Sequence, residues 1–379
     1  MPLAVGGLVS HRPVWDDGVW TPLPTLGGDV EADVCVVGLG GAGLACVRQL
    51  LELGQRVVGL DAGAIGGGAA GRNGGFLLAG LASFYHDAVS RHGHERARDV
   101  YRLTLREIDR MEGETPECVR RAGSLRIASS AEEDVDCAQQ LEAMRADGLP
   151  AELYSGLEGT GILVPTDCSF QPLARCRTLA GRAIADGARL FEWSRAEGVT
   201  GREIRTAHGR VRCHAVIVAV DGRLERVLPE LVPVVRTARL QMLATAPASD
   251  VCYPRPVYAR YGYDYWQQLE DERIVLGGFR DRGGDDEWTH DSDPTEMVQR
   301  ELDAFLRDAL GVTAPVTHRW GAAVSYHRTG LPLAAEVRDR VWAVGAYCGT
   351  GNVLGSMLGR AIARAAVLAD AATLRIFAA

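Results

Sequence analysis

The stretch from Asp33 to Asp61 limits the fold of this chain more than any other. Asp33-Val-Cys-Val-Val37 is a short apolar run, and Gly38-Leu-Gly-Gly-Ala-Gly43 follows it directly. From Ala42 to Leu53 the residues Leu44, Val47, Leu50 and Leu51 recur at helical spacing, and Gly54 stands where a helix C-terminus favours glycine. A second apolar run, Arg56 to Leu60, ends in Asp61. Strand, glycine turn, helix, strand and acid, in that order, make a dinucleotide-binding unit. Gly38 permits the tight turn, Gly40 lets backbone reach a pyrophosphate, and Gly43 lets helix and strand pack closely. The helix N-terminus offers free N–H groups to the pyrophosphate, and Asp61 can accept from a ribose hydroxyl.

The glycines are unevenly spread. Of 45 in 379 residues, 14 lie between residues 38 and 80 and five more between 345 and 359. Both blocks read as places of close backbone approach. All 41 basic residues are arginine, so Schiff-base, lysine-base and phosphate-loop lysine chemistry is excluded. A net charge of -8 leaves no basic footprint for nucleic acid. The nine cysteines contain no C-x-x-C pair, which fits reduced thiols and a cytoplasmic setting. No run of 18 apolar residues predicts a membrane span, and the N-terminus does not read as a signal peptide. His92-Gly-His94-Glu95 lacks distant ligand partners and reads as a solvated helix start, so no metal is expected. Cys213 and His214 are neighbours on a strand and point to opposite faces, so they are not a nucleophile pair.

Beyond the first unit, Phe84 to Leu149 is charged and helical in period, with one strand-like piece at Ser124 to Ala128. Gln171-Pro172 opens a helix to about Asp186, and strands follow at Arg189 to Trp193 and Ala215 to Val220. Residues 235–278 favour strands, including Val257 to Gln267 and Arg273 to Gly278. Asp293-Pro294-Thr295-Glu296 offers an N-cap, a proline at the first helical position and a glutamate to close a capping box, for a helix reaching Leu310. The chain ends in a strand (Val341 to Val344), a glycine-rich turn and a helix (about Val353 to Leu368).

Asp61 alone fits NAD or FAD. The loop Gly63-Ala-Ile-Gly-Gly-Gly-Ala-Ala-Gly-Arg-Asn-Gly-Gly75 favours FAD, whose long body needs bare backbone beside it. Residues 33–75 resemble the flavin-binding start of the D-amino acid oxidase and glycine oxidase superfamily. Within it, Ala70-Gly-Arg-Asn-Gly-Gly75 is similar to the gamma-glutamylputrescine oxidase-like branch. Gln171-Pro172, Gly187-Ala-Arg-Leu-Phe-Glu192, His214-Ala-Val-Ile-Val-Ala219, Tyr265-Trp266, Arg273-Ile-Val-Leu-Gly-Gly278, Trp320-Gly-Ala322, Gly330-Leu-Pro332 and Val344-Gly-Ala-Tyr-Cys-Gly-Thr-Gly351 extend the resemblance along most of the chain.

The resemblance implies a mixed α/β (α+β) fold: a Rossmann-like FAD-binding domain and an interleaved substrate domain on a mostly antiparallel sheet with helices. Segments 29–83, 150–222 and 316–379 are assigned to the first, 84–149 and 223–315 to the second, and 1–28 to an N-terminal extension. It implies FAD contacts at Gly38, Gly40, Gly41, Ala42 and Gly43, then Asp61 and Ala62. Gly71, Arg72, Asn73 and Gly74 follow along the flavin, and Ala196 and Ala219 lie towards the nucleotide. Gly345, Gly349, Thr350, Gly351 and Asn352 close on the ring, and a helix N-terminus there would stabilise charge at its N1–C2=O edge. The implied reaction oxidises a C–N bond of a small amine or amino-acid-like substrate by hydride transfer to flavin N5. The imine then hydrolyses to a carbonyl, and O2 reoxidises the flavin with release of H2O2. The alternative is a dehydrogenase, or a flavin subunit, that passes electrons to another acceptor.

Tyr261, Tyr263 and Tyr265 stand at period two, and on a regular strand they share one face, either walling a pocket or packing the sheet. Tyr258 and Trp266 would then face the other way. Tyr263, Tyr265 and His327 are the catalytic candidates, and Tyr261, Tyr326 and Arg328 the substrate-binding ones. Arg328 could grip a carboxylate and His327 could orient an amine, the alternative being a solvated arginine and a packed histidine. The sequence departs from the superfamily in three places. Val324 stands where glycine oxidase-like enzymes carry a carboxylate-binding arginine, which disfavours a simple α-amino acid. Val275 stands in the strand where sarcosine oxidase-like relatives carry an oxygen-activating lysine. No cysteine lies between Trp320 and Gly330 for their covalent flavin link, so non-covalent FAD is expected.

Overall fold

The computed structural model describes residues 9–378. Two sheets organise it. Val34–Val37 is buried along its whole length, as a strand covered on both faces must be. It pairs in parallel with Val57–Leu60 on one side and Ala215–Val218 on the other. Arg189–Phe191 and Val341–Gly345 extend the sheet in parallel, and Leu333–Arg338 closes it antiparallel as the sixth strand. The chain leaves Val34–Val37 for one neighbour and reaches the other much later, so the strand order reverses there. Open α/β sheets bind their ligands at such a switch point, beyond the carboxyl ends of the strands.

Two helices pack against each other on one face of this sheet, Gly41–Glu52 from the first glycine block and Gly351–Leu368 from the second. Glycine makes the approach possible: a Cβ on Gly359 would overlap the Ala42 carbonyl, and one on Gly355 would touch the Ala42 methyl at 3.5 Å. The helix Pro172–Ala185 starts as expected, with the Gln171 side chain accepting from the Ala174 N–H.

The second sheet has eight strands and is antiparallel except where Val257–Ala259 runs parallel to Ser124–Ile127. Its longest pair, Val235–Pro247 with Val316–His327, lies at one edge of the sheet. The hairpin Glu152–Gly156/Gly159–Val164 also belongs to it. Segments 150–222 and 316–379, expected on the dinucleotide side, therefore each contribute strands to both sheets. Helices Tyr85–His92, His94–Glu114 and Ala131–Ala146 occupy the charged region read as helical.

Two local expectations fail. Val257 to Gln267 is not one strand: it breaks at a turn over Arg260–Gly262 and returns as Asp264–Gln268. Gly262, with φ at +84°, makes that turn, and its missing Cβ leaves room for the Tyr258 ring. The capping box at Asp293 does not form either. The helix is Glu296–Asp308 with Thr295 at its N-cap and no side-chain cap bond. Thr295 is drawn into a buried network instead: its N–H donates to Gln241 Oε1 (2.8 Å), and Gln241 Nε2 donates to both Thr295 Oγ1 (2.7 Å) and Glu287 Oε2 (2.9 Å). Arg239 completes it with two 3.0 Å bonds to Glu287. Tertiary partners outcompete the local cap. Among the described residues no helix is long and apolar enough to cross a membrane.

Candidate active site

One cavity of about 1770 Å³ runs from the carboxyl ends of the parallel strands to the eight-stranded sheet, beyond the roughly 300–1,000 Å³ of an ordinary small-molecule site. Gly38, Gly40, Gly41 and Ala42 line one end, with Asp61, Ala62, Ala196 and Ala219. Gly71, Arg72, Asn73, Gly74, Gly349, Thr350, Gly351 and Asn352 line the middle. Gly43 and Gly345 are not in the lining, and their work is packing. A Cβ on Gly43 would overlap the Gly38 carbonyl, and one on Gly345 would come within 2.6 Å of the Val220 carbonyl.

Two helix N-termini open on this cavity. Gly40 caps the first without a side-chain bond, and Thr350 caps the second without one; neither first turn carries an acid. Both ends keep their donors and their positive field free for an anionic group. Asp61 stands between the strands and the cavity, accepting from Leu39 N–H at 2.7 Å and Gly63 N–H at 2.9 Å. Burial pushes its carboxyl up from the ordinary value, and those backbone donors oppose the shift.

The two glycine blocks, far apart in sequence, are joined by side chains. Asn352 Nδ2 donates to Asn73 Oδ1 (3.1 Å) and to the Phe76 carbonyl (2.8 Å). Asn73 also donates to the Ala69 and Ala70 carbonyls and accepts from Gly75 N–H. Arg72 reaches the Gly67 and Gly321 carbonyls, and Trp320 Nε1 donates to the Arg72 carbonyl at 2.8 Å. Trp15 Nε1 donates to the Asn73 carbonyl, and Gln171 Nε2 holds the Trp15 carbonyl. The turn that opens the second block is conformationally costly: Ala346 and Cys348 both have positive φ, at +52° and +56°.

The fully buried Glu192 fastens the N-terminal segment beside the site, accepting from Trp20 Nε1, Leu23 N–H and Ile65 N–H. Asp221 accepts from the Ser325 and Tyr347 N–H groups at 3.3 Å, and burial pushes its carboxyl up to about 7. Neither acid was singled out from the sequence. A glutamate after an apolar strand (Leu190-Phe-Glu192) and an aspartate in Val220-Asp-Gly222 give little signal until the loops they hold are known.

At the far end the cavity is aromatic. Tyr258 and Tyr265 are cross-strand partners, so the turn brings Tyr258 to the face it was expected to avoid. Trp266 pairs with Val257 and packs in the core beyond. The Tyr265 ring lies on Gly74, and the Tyr326 hydroxyl is 3.8 Å from where a Gly349 Cβ would stand. Burial pushes the Tyr326 phenol up to about 12, and the Tyr258 and Tyr265 phenols also rise for the same reason. Tyr261, Tyr263, Tyr265 and Tyr326 all border the cavity, but Tyr261 sits in the turn with φ at +55° and is 50% exposed. It donates to Asp136 at 3.1 Å, and because Tyr261 and Tyr263 both lie outside the strand Asp264–Gln268, the shared strand face expected for the three tyrosines does not form.

His327 and Arg328 are not part of the lining. Trp320 to Val324 and Tyr326 of this strand border the cavity, and the lining stops short of His327. His327 Nδ1 meets Thr329 Oγ1 at 2.7 Å, and burial lowers its pKa. Arg328 is exposed. The position that sequence matching gave to an oxygen-activating lysine, Val275, is buried against Met242 and Trp320, and Met242 rather than Val275 borders the cavity.

Arg280 also borders this chamber. Its guanidinium lies 4.8 Å from the Trp288 ring centre, 5.1 Å from Tyr326 and 5.6 Å from Tyr263. Arg126 borders it too, 4.3 Å over Phe84 and 5.5 Å over Tyr258, and donates to Gln140 Oε1. Both were missed because an arginine in a polar loop, or in a short strand, carries no mark of what it faces.

The cavity fits FAD on its own terms: bare backbone, two uncapped helix ends, an acid at the second strand and an aromatic chamber beyond. Comparisons with known proteins agree. The family model described as FAD dependent oxidoreductase (DAO) matches residues 33–365. The chain is 26% identical over 370 residues to gamma-glutamylputrescine oxidoreductase of Escherichia coli (strain K12), covering 91% of this chain and 85% of that protein. It is 24% identical over 388 residues to a probable oxidoreductase OrdL of Rhizobium meliloti (strain 1021), covering 95% and 86%. Among solved structures, glycine oxidase from Geobacillus kaustophilus shares the fold with a TM-score of 0.73 at 19% identity, over 89% of this chain and 95% of that one. L-proline dehydrogenase from P. horikoshii does so with a TM-score of 0.73 at 17% identity, over 92% and 95%. The chain belongs to the FAD-dependent oxidoreductases of the DAO family and is an FAD-using enzyme.

Proposed function

We propose that this enzyme oxidises a C–N bond of a small amine or amino-acid-like substrate, giving an imine that hydrolyses to a carbonyl. The observation that carries the reading is the continuity of the cavity: the loops at Gly74 and Gly349 form the floor of a chamber walled by Tyr258, Tyr265 and Tyr326. FAD, when bound, supplies the two-electron acceptor. The chain's own residues bind and orient the substrate, exclude water and hold the helix ends towards the cofactor. The buried phenols keep their protons in the ordinary assay range and serve as neutral hydrogen-bonding walls rather than bases. The substrate amine therefore enters uncharged, and its own pKa governs the rise of the reductive rate with pH. The gamma-glutamylputrescine oxidoreductase relative supports an amine over other reductants.

We infer that FAD is held without a covalent bond. Cys176 and Cys348 border the cavity, and burial pushes the Cys348 thiol up to about 11 and the Cys176 thiol up to about 12. That opposes the thiolate a thioether link would need. FAD released into the supernatant on acid denaturation is the expected result. A chain without lysine has no lysine to activate oxygen, which keeps a second reading alive: a dehydrogenase that passes electrons to another acceptor.

The test is anaerobic. The purified yellow protein is mixed with amines, amino acids and gamma-glutamyl amines, and flavin bleaching is followed. Reduction by at least one amine is expected, and a flavin that none of them reduces overturns the reading. Peroxide on admitting air then separates oxidase from dehydrogenase.

A further inference from the structure

The family model matches from residue 33 onward, and the segment ahead of that match is built into the cofactor cavity. His11, Pro13 and Asp16 belong to its wall. The segment starts on one sheet and ends on the other. Ser10 sits at the open edge of Val316–His327, where its N–H donates to the Thr317 carbonyl and its carbonyl accepts from Arg319 N–H, both at 2.9 Å. Val14 and Trp15 then bury almost completely against Leu173 of one helix and Met242 and Trp320 of the large sheet. Farther on, Glu192 accepts from Trp20 Nε1 (2.9 Å) and Leu23 N–H (2.8 Å), and Ser194 Oγ accepts from Leu26 N–H (2.9 Å). Glu192 and Ser194 lie just beyond the end of Arg189–Phe191, a strand of the parallel sheet.

Midway, the segment meets the loop that lines the middle of the cavity. Trp15 Nε1 donates to the Asn73 carbonyl at 2.8 Å, and the tip of its ring lies 3.1 Å from where a Gly75 Cβ would stand. Asn73 accepts in turn from Asn352, so the indole supports the junction of both glycine blocks. Gln171 Nε2 fixes the Trp15 carbonyl, and Asp16 pairs with Arg177 at 2.6 Å. Glu192 reaches the same glycine region from the far end of the segment, accepting from Ile65 N–H at 2.6 Å. Residues 11–29 nonetheless form neither helix nor strand. A segment with no backbone ladder of its own is held by its anchors, and such segments open at a fraction of the free energy of global unfolding. A ligand that needs the anchored loop stabilises the anchored state, and the anchored state retains the ligand by the same factor.

We propose that residues 10–27 are a clasp on the cofactor site, and that FAD is released only after the clasp has lifted from the glycine loop. Trp15 is the positioning residue: through the Asn73 carbonyl it holds that loop in the shape that takes FAD. The clasp ties one sheet to the other across the loop, so freeing either end loosens the middle. The inference concerns cofactor retention and is independent of the substrate.

The experiment follows FAD release from the purified holoenzyme by the rise of flavin fluorescence on dilution. Trp15→Phe keeps a ring and removes its donor, and release should accelerate about five- to tenfold, the equivalent of one buried hydrogen bond. Ser194→Ala removes the acceptor of Leu26 N–H at a residue outside the lining, and release should accelerate about threefold, the lower end of that range. Hydrogen exchange gives the reciprocal measurement on the wild type, with no variant needed. Peptides covering residues 16–27 carry the Leu23 and Leu26 amides, which lie outside the lining, and should exchange about tenfold more slowly in holoenzyme than in apo-protein. A segment that only stabilised the fold would lower the Tm of apo- and holo-protein alike and leave release and exchange unmoved. Release from both variants at the wild-type rate, or exchange over residues 16–27 that ignores FAD, overturns the proposal. Faster release from Trp15→Phe with Ser194→Ala unchanged overturns it too, because the indole would then act on its loop without a clasp.

Discussion

Gly43 shows how a single absent methyl group sets up the cofactor site. The helix N-terminus must lie against the preceding turn, and a Cβ at this position would occupy the Gly38 carbonyl. Gly43→Val is expected to yield protein without FAD, read from the ratio of flavin to protein absorbance. Stoichiometric FAD in that variant would contradict the assignment. At the same scale the tyrosines had a period but not an orientation. Alternation placed Tyr261 beside Tyr265, and one turn residue, Gly262, moved it outward and carried Tyr258 in. The signal was present in Arg260-Tyr-Gly262, where a glycine interrupts an apolar run.

Between elements, the glycine loop at residues 66–75 is pinned from outside. Trp320, on a strand of the large sheet, donates to the Arg72 carbonyl, and the Arg72 guanidinium returns to Gly321. Trp320→Phe removes that donor and leaves the carbonyl unpaired. FAD affinity should fall by about five- to tenfold, the cost of roughly one buried hydrogen bond. Titration of apo-protein with FAD by fluorescence quenching measures it, and an unchanged Kd would show that the loop holds its shape alone. The cap of the helix Glu296–Asp308 teaches the same lesson in reverse. Asp293, Pro294 and Glu296 compose a sound local start, yet Gln241 and Glu287 capture Thr295 and begin the helix later.

Across the whole molecule, a buried ionic network ties the charged helix His94–Glu114 to the helix Gly351–Leu368 of the second glycine block and to the helix Pro172–Ala185. Arg360 donates to Glu107 (3.2 Å) and Glu114 (2.5 Å), Ser356 donates to Glu107, and Arg175 donates to Glu114. Arg360→Met leaves the buried Glu107 without its cation and Glu114 with Arg175 alone, which costs about 3–5 kcal/mol. The urea midpoint should drop accordingly, and a midpoint within error of the wild type would rule out a structural role. Asp167 makes a pH-dependent contribution. Burial pushes its carboxyl up to about 7, despite bonds from Ser124 Oγ and Ala79 N–H. The native state then holds a proton that the unfolded chain releases near pH 4, so this contribution is full below about pH 4 and is lost as pH rises through 7. Asp167→Asn keeps an acceptor and does not ionise. Its Tm relative to the wild type should therefore rise between pH 5 and pH 8, and a difference flat with pH would refute the assignment.

The sequence by itself determined the dinucleotide unit, the choice of FAD, the helices, and the glycines that must lie bare against a ligand. Those features are local: a turn, a helical period and a missing Cβ are properties of a few adjacent residues. Only the tertiary structure decided that Asn73 and Asn352 join the two glycine blocks, and that segments 150–222 and 316–379 serve both sheets. It also decided that Asp221 and Glu192 hold the loops, and that Arg280 rather than Arg328 meets the chamber. The reason is physical. Each of these depends on what faces a side chain across a gap of tens to hundreds of residues, and an arginine or aspartate reads the same in solvent, in a salt bridge or at a cavity wall until its neighbours are in place.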